Sequence, residues 1–218
     1  VAKTEPVNPQ LLSMDIDFQC PAADLPKWLL PAFDDTVGRE NYLIADKSQV
    51  ANLRARYQTP DKSKIVGLGW MTQHPSMKWH YNFATDVFDR LLKTPNVQFV
   101  CLQYGDNSRE LAQIRERTGV TIIQDDGVNP LESLDSFAAQ EASMDLVISI
   151  VNSTAVMASG LGVPVWGVLP KVSEWRWGNQ GQSNLWYPSM RVFRPPSGGS
   201  WDDVSEQLTD AFRHWAAS

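Results

Sequence analysis

Residues Asp145–Leu169 read DLVISIVNSTAVMASGLGVPVWGVL, and this stretch decides the fold. Asp145–Ile150 is apolar on both faces, as a strand buried between two layers must be. Asn152-Ser153-Thr154 then opens a helix of small residues, Thr154–Leu161, which Gly162 closes. Val163–Leu169 (VPVWGVL) is a second strand of the same doubly apolar kind. A strand, a crossover helix and a strand form the repeating unit of a parallel sheet covered on both sides.

Outward from this unit the same alternation continues. Upstream, Lys64–Trp70 (KIVGLGW) and Val97–Leu102 (VQFVCL) read as strands, and Val120–Ile123 as a short one. Between them lie an amphipathic helix over Phe83–Lys93 and a helix over Asn107–Thr118, with Leu111, Ile114 and Arg115 on one face. Leu134–Ser143 is a further helix. Downstream, Met190–Phe193 is a last strand and Trp201–Trp215 a closing helix capped by Ser200. Val50, Leu53 and Tyr57 share helical spacing, with Ser48 as cap. The expected fold is therefore α/β: a Rossmann-like, doubly wound parallel sheet of five or six strands. Ahead of it, residues 1–13 read as a loose polar arm. Pro21, Pro26, Pro31 and Gly38 break residues 14–45 into loop and short helix. Residues 1–45 are thus expected to form an arm and connecting segment, and 46–218 the Rossmann-like domain. The chain begins at Val1 rather than Met, which reads as a piece of a longer protein.

Composition narrows the function. Hydrophobic residues make up 43% of the 218 and charged residues 20%, the balance of a soluble globular chain. The formal charge is −6 with no basic tract, so nucleic acid is not an expected partner. No apolar run nears the roughly 20 residues of a membrane span, and the N-terminus has no signal-peptide pattern. Cys20 and Cys101 lie far apart, and Cys101 sits in an apolar run as a buried free thiol would. A cytoplasmic setting is expected on those grounds.

In a doubly wound sheet, ligands bind outside the carboxyl ends of the strands. That rule selects Asn152-Ser153-Thr154, where free N–H groups and the helix macrodipole would favour an anion; ordinary helix capping competes with this reading. It also selects the loop from Trp70 to Tyr81, and Gln103-Tyr104-Gly105-Asp106, where Tyr104 could stack on a ring while Asp106 or Asn107 caps a helix. Asp125-Asp126 suits sugar hydroxyls or plain solvation. Trp175 and Trp177 suit an aromatic cover, and Trp186-Tyr187-Pro188 reads as packing against the closing helix. His74 and His80 have no Cys, Asp or Glu at ligand spacing in their loop, so no metal site is expected. No dinucleotide or Walker-type glycine loop follows the first strand, and no nucleophile elbow is present.

Phe99–Asp106 (FVCLQYGD), Asp145–Pro170 and Trp186–Phe193 (WYPSMRVF) together resemble the C-terminal domain of GT-B type bacterial glycosyltransferases. That group is often fused to tetratricopeptide repeats, is similar to the heptosyltransferases, and is more distantly similar to the O-linked N-acetylglucosamine transferases. Met14–Pro26 and Tyr42–Tyr57 resemble the segment linking the two halves. The resemblance implies the donor-binding half of a metal-independent transferase that moves a sugar from a nucleotide-sugar to a protein or glycan acceptor, flagellin among them. It implies no cofactor, since the nucleotide-sugar is a substrate. The catalytic base would belong to the N-terminal half, without which this piece would be inactive. The implied donor-binding residues are Trp70, Lys78, Gln103, Tyr104, Asn152, Ser153, Thr154 and Trp175. Lys78 would neutralise charge on the departing phosphate. The chain departs from many relatives in carrying Val151-Asn152 for their Asp-Thr pair, and Val156 for a downstream His. Those departures motivate the alternative of a non-catalytic, transferase-like module that binds a glycan or protein partner.

Overall fold

The structure is a computed structural model that describes residue 15 and residues 17–30, 41–72, 85–178 and 180–218. It divides into two units, one ending at Val37 and one beginning at Gly38. In the first, a 3-10 turn (Ala22–Asp24) runs into the five-residue helix α1 (Leu25–Leu29). Pro26 sits in its first turn, where a missing N–H costs nothing. Leu25, Trp28 and Leu29 are all exposed.

The second unit is built on five strands: β1 (Lys64–Gly69), β2 (Val97–Cys101), β3 (Leu146–Ile150), β4 (Val165–Val168) and β5 (Met190–Phe193). Their order is β2-β1-β3-β4-β5 and every pairing is parallel. Every residue of β2, β3 and β4 is buried, as the two-faced apolar sequences require. In register, Leu68 faces Ile148 and Gly69 faces Ser149.

The helices pack in two groups, as a doubly wound sheet demands. One group joins α2 (Lys47–Tyr57), α5 (Leu134–Ala142) and α6 (Ser153–Gly160); the other joins α3 (Asp89–Leu92), α4 (Ser108–Thr118) and α7 (Trp201–Ala217). A Ser200–Asp203 capping box starts α7. Its Val204, Leu208 and Phe212 are fully buried, and Phe212 lies 6.0 Å from the Phe99 ring of β2. Arg54 of α2 reaches Asp145 at 2.8 Å, and the other oxygen of Asp145 accepts the Ile65 N–H, tying this helix to the start of β1.

Four local readings of the sequence are corrected. Val120–Ile123 is no strand but a single parallel bridge, Val100 to Ile123, at the edge beyond β2. Gly119, left-handed at φ 73°, has only just closed α4, and the turn at Asp125 follows at once, leaving room for one rung. Phe83 and Ala84 fall outside the described residues, and the rest of the predicted 83–93 helix is a 3-10 turn, Thr85–Phe88, continued by α3. Arg117 holds Thr85 and Asp89 from α4, and Asn96 at φ 62° turns the chain into β2. Asp46, not Ser48, caps α2: its carboxylate accepts the Gln49 N–H at 2.8 Å, while Ser48, already inside the first turn, gives its hydroxyl to the same group. Trp186 and Tyr187, read as packing on the closing helix, pack on the Trp175–Trp177 turn. Asn184 accepts both of their N–H groups and folds them onto the Trp175–Trp177 turn.

Candidate functional site

The chain leaves β1 for β2 on one side, then returns for β3 on the other. The β1/β3 junction is therefore the topological switch point, where the carboxyl ends of neighbouring strands part to leave a crevice. A cavity of about 310 Å³ lies there. Thr72 follows β1; Ile150, Val151, Asn152 and Ser153 lead from β3 into α6; Tyr104 follows β2; and Glu174, Arg176 and Trp177 come from the turn after β4.

Local hydrogen bonds fix its floor. Gln103 Oε1 accepts the Met71 N–H at 3.0 Å, and Asn152 Nδ2 approaches the Met71 carbonyl at 3.5 Å, so the backbone leaving β1 is held from both flanks. Asn152 Oδ1 accepts the Ala155 N–H and the Ser149 hydroxyl, both at 3.3 Å, which caps α6. No side chain among the described residues caps the Ser153 or Thr154 N–H, leaving two donors at the positive end of the macrodipole. Gly69 lacks a side chain where one would collide: a Cβ there would meet Ser149 Oγ at 2.6 Å.

The far wall is a locked turn. Arg194, just past β5, donates to the carbonyls of Trp177 and Gly178 at 3.1 and 3.0 Å. Burial pushes its guanidinium pKa below the ordinary value. Trp177 is fully buried and stacks on Tyr187 at 5.7 Å, while Trp175 stands out at 60% exposure, edge-on to Trp186. Asn184 donates to the Arg176 carbonyl at 3.1 Å, and Arg176 pairs with Glu174 at 2.7 Å.

Tyr104 also borders a second cavity of about 230 Å³, between the ends of β2 and the 124–131 loop, with Gln103, Gly105, Asp126 and Phe137 in its wall. Gly105 is left-handed at φ 86° and turns the chain into α4. Asn107 donates to the Gln103 and Gly105 carbonyls, fixing that turn. Asp125 is committed to the scaffold: one oxygen accepts from Tyr57 Oη (2.6 Å) and Arg56 (2.7 Å), the other from the Gly127 N–H. Burial pushes its carboxyl pKa up, but these hydrogen bonds and the Arg56 charge outweigh that and hold it below the ordinary value.

Of the candidates read from sequence, Tyr104, Asn152 and Ser153 meet around the switch-point cavity, and Gln103 joins Tyr104 at the second. Trp70 is only 2% exposed and borders neither cavity; its indole N–H and Gln103 Nε2 have no partner among the described residues. Thr154 is buried and does not line the cavity. Trp175 neighbours the cavity-lining residues without lining it. Lys78, His74 and His80 lie outside the described residues. Sequence reasoning missed Thr72, Glu174 and Arg176. Arg176 carried no signal in the sequence, because its turn is positioned by Asn184 and Arg194 from outside the Trp-Arg-Trp segment. Among the described residues no group of three His, Cys, Asp or Glu side chains is placed to hold a metal ion.

The fold has known counterparts. A glycosyl transferase family 9 protein of Veillonella parvula superposes with a TM-score of 0.57 at 13% identity, over 81% of this chain and 53% of that one. The ADP-heptose lps heptosyltransferase II of E. coli gives 0.53 at 14% identity, over 81% and 54%. The fold is that of a glycosyltransferase-like Rossmann domain. In sequence the chain is 32% identical over 204 residues to Protein FlbA of Caulobacter vibrioides, covering 93% of this chain and 34% of that protein. The chain thus spans about a third of the relative it matches. No family model matches it. Among the described residues no helix is long and apolar enough to cross a membrane.

Proposed function

We propose that this domain holds the nucleotide-sugar donor of a metal-independent transferase that passes the sugar to a protein or glycan acceptor. The observation that carries the reading is the switch-point cavity, lined by Ser153 at the start of α6, where the Ser153 and Thr154 N–H groups have no side-chain cap among the described residues. Those donors receive the phosphate oxygens, where the helix macrodipole favours negative charge. They need no reorganisation as charge builds on the leaving phosphate. Tyr104 separates this cavity from the second, whose acidic and amide rim and apolar wall suit the ribose and base. Lys78, which follows β1 in the sequence, supplies a positive charge in place of a metal. The acceptor site and the catalytic base belong to a second, N-terminal half of the transferase.

Calorimetric titration with UDP-, ADP-, GDP- and CMP-sugars tests the reading. One member of the panel binds, and Ser153→Asp weakens it at least ~tenfold without loss of melting temperature, because the new carboxylate opposes the bound phosphate while still favouring the helix start. Lys78→Ala weakens it by about 1–3 kcal/mol, the range for a charge-assisted hydrogen bond. If no donor binds this domain or the longer protein, the domain is a binding module and the proposal is wrong.

A further inference from the structure

The wall opposite α6 carries an ion pair held within one turn, its Arg176 guanidinium 5.4 Å from the centre of the Trp177 ring. Arg176 and Glu174 are two residues apart on one turn, so their 2.7 Å contact bridges no separate elements. The turn is already held without it. Arg194 fixes the Trp177 and Gly178 carbonyls, Asn184 fixes the Arg176 carbonyl, and buried Trp177 stacks on Tyr187. Ser173 adds a hydrogen bond to the Gly178 carbonyl. Both charged side chains border the switch-point cavity, and both keep substantial exposure, 48% for Arg176 and 31% for Glu174. A pair between such exposed groups adds little stability. Its guanidinium, however, is kept on a rigid turn and in a geometry suited to oxyanions.

We propose that Arg176 is a specificity-determining residue of the donor site, taking an anionic oxygen of the ligand, with Glu174 as the resident counter-ion that the ligand displaces. The inference rests on the donor-binding reading and deepens it. A ligand without an anionic group at that position must leave the Arg176–Glu174 pair intact and gains nothing from it. A ligand with one exchanges one carboxylate partner for its own oxygens. Glu174 therefore acts as a filter: it lowers affinity for every anion, and most for those that cannot bind the guanidinium with two oxygens.

The two partners consequently have opposite effects on binding, which a structural pair would not show. Inorganic pyrophosphate, and ADP, GDP, UDP and CDP in turn, are titrated calorimetrically into the wild-type domain, Arg176→Gln, Glu174→Gln and the double variant. Arg176→Gln weakens pyrophosphate and the tightest nucleotide at least ~tenfold. Glu174→Gln tightens both several-fold, and that gain disappears in the Arg176→Gln background, since the two residues act through one contact. Arg176→Gln stays folded and melts near the wild type, because the turn is held by the Arg194 and Asn184 bonds. Wild-type binding that Arg176→Gln leaves unchanged overturns this inference alone. Glu174→Gln that weakens binding, or tightens it equally with and without Arg176, also overturns it. A wild-type domain that binds neither pyrophosphate nor any of the nucleotides overturns the donor site and this inference with it.

Discussion

Tyr57→Phe removes one oxygen atom from the centre of the second unit. Tyr57 is fully buried at the end of α2, and its hydroxyl donates to Asp125 Oδ2 at 2.6 Å while accepting from Gln140 Nε2 at 2.9 Å. Three elements thus meet on one atom: α2, the turn at Asp125 and α5. The ring stays in Phe, so apolar burial is unchanged, and the loss is that of the two bonds. A hydrogen bond to a charged group contributes roughly 1.5–3 kcal/mol and a neutral one roughly 0.5–1.5. The expected loss is about 2–4 kcal/mol, a fall in melting temperature on the order of 5–15 °C for a chain of this size. The effect also depends on pH. Asp125 has its folded pKa held below the unfolded one, so its contribution is present above the unfolded value and is lost as pH falls through the folded value. Tyr57 supplies part of that depression, so the gap between wild type and variant narrows on acidification. Urea unfolding at neutral pH and in the carboxylate range measures both. A loss below about 0.5 kcal/mol, or a gap that does not change with pH, refutes the assignment of Asp125 to the scaffold.

Two further outcomes follow from buried groups. Glu141 on α5 is fully buried with both carboxylate oxygens lacking a partner among the described residues, and burial raises its pKa well above the ordinary value. Its contribution is therefore fully present below the unfolded pKa and is lost as pH rises towards the folded one. Glu141→Gln should melt close to wild type at pH 4 and increasingly above it towards pH 8; a constant difference would show that the carboxyl has a partner. Burial also pushes the Cys101 thiol up to about 12, whereas Cys20 is exposed. A thiol reagent at pH 8 should therefore modify one cysteine in the native protein and the second only after unfolding; immediate reaction of both would place Cys101 at the surface.

The strands were legible because parallel strands covered on both faces carry unbroken apolar runs, and β1 to β5 all begin and end within a residue or two of the sequence reading. Short elements were not legible, since their fate depends on neighbours far away in sequence. Val120–Ile123 has the composition of a strand, yet the geometry of Gly119 and the Asp125 turn allows only one bridge. Asp46 takes the cap of α2 from Ser48 because the helix starts two residues earlier than a Ser48 cap would allow. Periodicity reports the buried face of a helix and is silent about its first turn.

The candidate site divides along the same physical line. Residues that act through the backbone at a strand end, such as Ser153, can be placed from topology alone, because the strand order determines where carboxyl ends part. Residues that act through side chains cannot, because their direction is set by tertiary contacts. Trp70 and Trp175 look alike in sequence, each following a strand, yet one is buried and the other 60% exposed. Arg176 is the sharper case. Its direction depends on Asn184 and Arg194, which approach the turn from the loop before β5 and from its far end. Neither belongs to a motif that a reading of the Trp175–Trp177 segment would include. The wall of the candidate site is therefore set by distant loops, while its floor is dictated by the sheet. If the proposed donor site is right, exchanging the turn after β4 should change which anion is preferred while leaving anion binding at α6 in place, and a panel titration of the exchanged variant checks it.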